Sequence, residues 1–288
     1  MRVTLRIAVV LFWLGLPLKN EAQVAIVDSL GLPGDHLNLY GVLELFKQSA
    51  SLELFEESLN KPDTYVNNLD LNNDNVVDYV KVTELIENQT HVVVLQTLLA
   101  EFETHDVAVI YIERSEHGVV TLQIVGNDEL YGPNYLIEPT ADGKVFGKVK
   151  DDHSGKAMQE GETLHFYKLV NSDASYTSTI ENAGEVDDAI GEAGYWPILT
   201  HLYHPLYVQY VSRSSYHIYP HWWQARNPMF WQPFTEQLLG AKPKHLHLFK
   251  RIDQVKNGMA HQLYIPIQKK STLVNQNLAT GVYAGKYL

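Results

Sequence analysis

Val119-Val120-Thr121-Leu122-Gln123-Ile124-Val125 alternates apolar Val120, Leu122 and Ile124 with polar Thr121 and Gln123. A period of two puts one set of side chains on a core and the other set on the opposite face of a sheet. Working back along the chain, the same period predicts strands at Asp106–Arg114, His91–Leu99, Val76–Ile86 and Thr64–Leu71. Ser115-Glu116-His117-Gly118 is short and carries a glycine, which reads as a hairpin connection. Consecutive strands with short links form an antiparallel meander. Ahead of it, Leu39, Val42, Leu43 and Phe46 fall at helical spacing, and Leu52, Phe55 and Leu59 repeat the pattern behind Ser51, a suitable N-cap. Two short amphipathic helices therefore precede the sheet and cover its apolar face. The class is α+β: a meander preceded by two short helices, then an aromatic, proline-rich irregular segment and a flexible tail.

The chain has 288 residues, 45% of them hydrophobic, with 34 acidic and 22 basic side chains and no cysteine. A thiolate zinc site, a disulfide framework and a cysteine nucleophile are excluded. At the amino end, Arg2 and Arg6 precede an apolar stretch from Ile7 to Leu18, followed by polar Lys19-Asn20-Glu21-Ala22. That order is a signal peptide's, with cleavage expected after Ala22. The stretch is shorter than the roughly 20 residues of a bilayer-spanning helix, so no transmembrane anchor is expected after processing. The expected location is periplasmic, outer-envelope or secreted.

Residues 23–140 are expected to form the α+β domain. Residues 141–192 continue it as an acidic extension, in which Lys144–Lys150 and Leu164–Val170 are candidates for extra strands. From Gln23 to Glu192 the balance is 31 acidic to 9 basic, whereas Ala193 to Leu288 has 2 acidic and 10 basic. The two parts should attract each other, with an anionic partner as the alternative, while the acidic total argues against nucleic acid. Between Trp196 and Phe234 stand 11 aromatics among five prolines, which prevent a long helix. Pro197 opens one helical turn that stops before Pro205. Residues 242–288 read as a basic, polar tail, partly disordered.

The strongest chemical signal is Asp70-Leu71-Asn72-Asn73-Asp74-Asn75-Val76-Val77-Asp78. Asp70, Asn72, Asp74 and Asp78 supply oxygen at loop positions 1, 3, 5 and 9, and Val76 can add its carbonyl at position 7. Calcium takes about 6–8 such ligands. Asn75 occupies position 6, where a left-handed residue is needed and glycine is usual. Position 12 is Lys81 rather than glutamate and both flanks are strand-like, so this is no EF-hand. A metal-free, Asx-rich hairpin turn is the alternative. The loop resembles the Asp-x-Asn-x-Asp-Gly-x-x-Asp calcium loops between strands in extracellular repeat proteins, which implies Asp70, Asn72, Asp74, Val76 and Asp78 as ligands.

A wider resemblance rests on Leu32-Pro33-Gly34-Asp35, Leu43-Glu44-Leu45-Phe46-Lys47, the Asn67–Val82 segment, Gln123-Ile124-Val125-Gly126 with Tyr131-Gly132, and the tract from Trp196 through Val211 to Trp223. The chain resembles a family of exported proteins from Bacteroidetes-type bacteria that join an acidic loop to a Trp/Tyr/Pro-rich tract. The likeness implies export and the loop, and supplies no activity.

Three further readings concern the second half. His201 with His204, His217 with His221, and His245 with His247 could each offer two imidazoles to zinc or copper, or simply hydrogen-bond among aromatics. The aromatic tract is either a small core or a surface for envelope polysaccharide, a membrane surface or another envelope protein, with Tyr216, Tyr219, Trp222, Trp223 and Trp231 as candidate contacts. Nucleophile elbow, zinc-protease and phosphate-loop motifs are missing, so the function expected is non-enzymatic. A hydrolase built from dispersed carboxylates is the enzymatic alternative. Glu56-Glu57, Asp151-Asp152 and Asp187-Asp188 read as solvated pairs.

Overall fold

In the computed structural model, residues 29–140, 144–145, 196–240 and 248–284 are described. The expected signal peptide, Leu164–Val170, Asp151-Asp152, Asp187-Asp188, His245 and His247 lie outside them. Helices α1 (Leu39–Gln48) and α2 (Leu52–Asn60) lead into strands β1 (Val80–Glu87), β2 (Thr90–Ala100), β3 (Glu103–Arg114) and β4 (Val120–Gly126). A single turn, α3 (Asp128–Tyr131), precedes β5 (Leu136–Pro139) and β6 (Lys144–Val145). The second half supplies α4 (Pro197–Leu202), α5 (Trp231–Gly240), β7 (Phe249–Ile252), α6 (Gly258–Tyr264) and α7 (Thr272–Ala279). All pairings are antiparallel in the order β1-β2-β3-β4-β5-β7, with β6 beside β4. This is the α+β meander that the alternation predicts.

Both leading helices form where their apolar spacing puts them. Asn38 caps α1 by accepting from Gly41 N at 2.8 Å, and Ser51 caps α2 by accepting from Leu54 N at 3.3 Å. Leu39, Val42, Leu43, Phe46, Phe55 and Leu59 are all buried against the sheet with Trp196, Ile198 and Leu199 of the α4 region. Tyr131 closes this core from the side. Its ring fills the gap between Gly34 and Gly126, where an added Cβ would come within 2.6 Å of it. Its hydroxyl donates to Leu37 O at 2.8 Å.

Three sequence expectations are corrected. Thr64–Leu71 is not a strand. Tyr65 adopts φ 52°, and the Asn67 side chain donates to Asp78 O and accepts from Leu69 N, so local amide bonds replace the ladder. Strand β1 begins at Val80 rather than Val76 because Val77 N and Asp78 N donate to Arg226 O and Leu69 O. The third correction is residues 248–284, which are no flexible tail. Phe249, Ala260, Tyr264, Val274 and Tyr283 are buried, and α6 covers the second face of the sheet over Val92, Val94, Val109 and Tyr111.

Opposite charges join the two halves. Lys256 and Lys250 reach the buried Glu138 carboxylate at 2.6 and 3.4 Å, and Lys270 pairs with Glu129 at 3.0 Å. Arg251 lies 3.9 Å over the Tyr135 ring.

Helix α7 is held at its start by β3. Ser271 N donates to His105 Nδ1 at 3.0 Å, and Glu103 accepts from Ser271 Oγ and Leu273 N. Those bonds hold the Glu103 carboxyl below its usual range. Burial pushes the His105 imidazole down to about 4, against a partial upward pull from Glu129. The folded state therefore keeps His105 neutral where an unfolded chain protonates it, near pH 6.5. Its contribution is complete above that value and is lost as pH falls toward about 4. Denaturant midpoints measured from pH 7.5 to 4.5 should fall steeply in the natural chain and less steeply in His105→Gln; equal slopes would refute the assignment.

Candidate functional site

The aromatic tract after α4 runs as an extended strap across the sheet edge and α2, and two buried carboxylates hold it. Glu56 sits on the flank of the apolar face of α2, next to Phe55, and is 3% exposed. Its Oε1 accepts from Tyr79 OH at 2.7 Å, Ser212 Oγ at 2.7 Å and Ser214 Oγ at 3.2 Å; its Oε2 accepts from Val82 N at 2.8 Å and Tyr210 OH at 3.1 Å. Five donors replace the water that burial removed. Burial first, and then the Glu56 charge, push the Tyr79 and Tyr210 hydroxyls up, so both remain donors.

Glu84 of β1 is the second anchor. It accepts from Tyr207 OH at 2.6 Å and Tyr210 N at 2.8 Å and contacts His91 Nδ1 at 2.8 Å. Gln209 donates to the Glu84 carbonyl, and Val211 forms an isolated antiparallel bridge with Thr83. The strap therefore lies along the outer edge of β1.

With its polar atoms turned inward, the strap leaves Val208, Val211 and Ile218 exposed by 81%, 75% and 65%. They rim a cleft of about 610 Å³. Its lining includes Glu53, Glu56 and Glu57 of α2, Tyr79, and Tyr210, Tyr219 and Trp222 of the strap. The Tyr79 ring packs 5.3 Å from Tyr219 and 6.3 Å from Trp222. A smaller space of about 220 Å³ beside it is lined by Asp74, Asp78, Tyr216, Tyr219 and Trp223.

The candidate contacts therefore separate. Tyr219 and Trp222 line the cleft. Tyr216 and Trp223 belong to the smaller space, where Trp223 packs 4.3 Å from Tyr219 and edge-on to Tyr79. Trp231 opens α5 and lines neither. Trp196 and Phe234 are core residues. Glu56 corrects the expectation of a solvated pair: Glu57 keeps a salt bridge to Lys61 at 2.7 Å, while Glu56 is buried. The spacing of Glu53 and Glu57 on one helix was the signal available in the sequence, and nothing local marked Glu56 as buried. Basic character is low here, with Arg213 alone of the Lys and Arg residues among the described lining.

The acidic loop folds around its own amides. Asp70 accepts from Asp74 N and Asn75 N at 3.0 and 3.1 Å, Asn72 Oδ1 from Asp74 N at 3.1 Å, Asp74 Oδ1 from Val76 N at 2.8 Å, and Asp78 from Leu71 N at 2.6 Å. Asn73 and Asn75 are left-handed, with φ 61° and 65°. The strap is bonded to this loop as well: Arg226 donates to Asn67 O at 2.8 Å, Asn227 to Asn75 O at 2.9 Å, and Asn68 exchanges two bonds with Met229. Among the described residues, no three Asp, Glu or His side chains form a group that could hold a metal ion. His201 packs edge-on against Tyr207 at 5.1 Å, and burial pushes its imidazole down.

No helix among the described residues is long and apolar enough to cross a membrane. Compared with protein-family models, curated proteins and solved structures, the chain matches none.

Proposed function

We propose that the chain is an exported, non-catalytic binding protein whose ligand occupies the cleft between α2 and the Tyr/Trp strap. One observation carries this: the strap is fixed to Glu56 through Tyr210, Ser212 and Ser214, and the same strap lines an open cleft with Tyr210, Tyr219, Trp222 and the exposed Val208, Val211 and Ile218. Half-buried aromatic side chains in a concavity of this size are what small-ligand sites use for contact area. Glu56 has the role of an anchor, because its five donors leave it no part in proton transfer. The ligand would come from the cell envelope, as the leader and the family resemblance imply. Trp222→Ala should abolish retention of the protein on envelope material while leaving its far-ultraviolet circular dichroism that of the natural chain. Undiminished retention would refute the cleft.

A second reading concerns the loop Asp70–Asp78 as a calcium turn. Its support is the left-handed Asn75 at position 6 and the oxygen alternation, and carboxylate oxygens can accept more than one bond. On this reading millimolar calcium raises the melting temperature, and at ten times the dissociation constant it adds about 1.4 kcal/mol. Asp74→Ala should remove the response. A melt indifferent to calcium and to chelator leaves the loop as a metal-free Asx turn.

A further inference from the structure

We infer that the occupant of the cleft is a small aliphatic polyamine, a cation with ammonium groups separated by short apolar spacers. This rests on the cleft being a binding site, and deepens it by fixing the ligand's charge and shape. Glu53 and Glu57 stand one helical turn apart on α2, which sets their Cβ atoms about 5–6 Å from each other. Two ammonium groups joined by a short methylene chain match that repeat. The buried Glu56 charge lies behind them, while Arg213 is the opposing cation among the described lining residues.

Tyr219 and Trp222 line the same cleft as these carboxylates, and aromatic rings attract a cation and pack against methylenes. Exposed Val208, Val211 and Ile218 extend that apolar surface along the rim. A neutral sugar would gain nothing from the Glu53 and Glu57 charges, and an anionic polymer would be repelled by them. The Glu57 pair with Lys61 is half-exposed. Such a pair is worth at most about 1 kcal/mol, so an incoming ammonium displaces it at little cost. A volume of about 610 Å³ accommodates a flexible ligand of this class.

Spermidine titrated into the full chain at low salt, followed by tryptophan fluorescence and calorimetry, should bind saturably. The double variant Glu53→Gln/Glu57→Gln should weaken binding by at least tenfold with an unchanged melt, and Trp222→Ala should also weaken it. A control with two remote exposed carboxylates neutralised, Glu101→Gln/Glu116→Gln, should bind as the natural chain does. Equal weakening in that control, or full binding in Glu53→Gln/Glu57→Gln, would show attraction to net charge alone and overturn the proposal. Absence of saturable binding at millimolar spermidine also overturns it. A neutral oligosaccharide that binds in a Trp222-dependent manner, where spermidine does not, would overturn the polyamine and leave the cleft standing.

Discussion

Glu56→Ala should lower the unfolding free energy by about 3–5 kcal/mol, the cost of breaking a buried charged network from one side. The variant strands Tyr79 OH, Val82 N, Tyr210 OH and the Ser212 hydroxyl, and leaves Ser214 Oγ with Tyr79 OH at 3.1 Å as its acceptor. Because Tyr210, Ser212 and Ser214 belong to the strap, the loss should be local before it is global. In a urea titration, fluorescence of Trp222 and Trp223 should change ahead of far-ultraviolet circular dichroism, whereas in the natural chain the two probes coincide. Glu56→Gln keeps the shape but converts one oxygen into an NH₂ that faces donors, so it should recover only part of the difference. A cost under about 1 kcal/mol for Glu56→Ala would place the carboxylate at a far smaller share than its five bonds imply.

Tyr131→Ala should cost about 3–5 kcal/mol as well, here through a cavity rather than through polarity. The ring fills the slot between Gly34 and Gly126, so close to both that a Cβ added at either glycine would come within 2.6 Å of it. Tyr131→Phe isolates the hydroxyl: it keeps the ring and deprives the Leu37 carbonyl of its donor, for about 1–2 kcal/mol. Conversely, Gly126→Ala drives a methyl into the ring and should cost about 1–3 kcal/mol by overpacking. Chemical denaturation of the three variants orders them Ala, then Phe or the glycine replacement; a mild Tyr131→Ala would mean that the slot closes by itself.

The helices and the inner strands were legible because their apolar periods survive in a single sequence. Leu39 to Leu59 and Val120 to Ile124 each bury the residues that their spacing selects. Thr64–Leu71 misled because Asn67 and Asn68 bond to distant backbone, to Asp78 O and to Met229, and no local pattern records such partners. Residues 248–284 misled for the converse reason: five buried apolar side chains spread over 37 positions leave the stretch polar on average, yet they join a core built mainly from the first half of the chain. Of the cleft, Trp222 and Tyr219 were legible as aromatics in an unusual tract. Glu56 was not, since adjacent glutamates ordinarily face water and only the tertiary approach of Ser212, Ser214 and Tyr210 makes burial tolerable.

The strap along β1 also bears on how molecules of this protein treat one another. Val80–Glu87 is the terminal strand of the sheet, and unpaired amides on such an edge template strand addition between chains. Tyr210, Gln209 and the Val211 bridge occupy that edge through Glu84 and Thr83. A chain whose strap is loosened would present the edge to its neighbours, so weakening of these internal bonds should be followed by polymerisation rather than by simple loss of order.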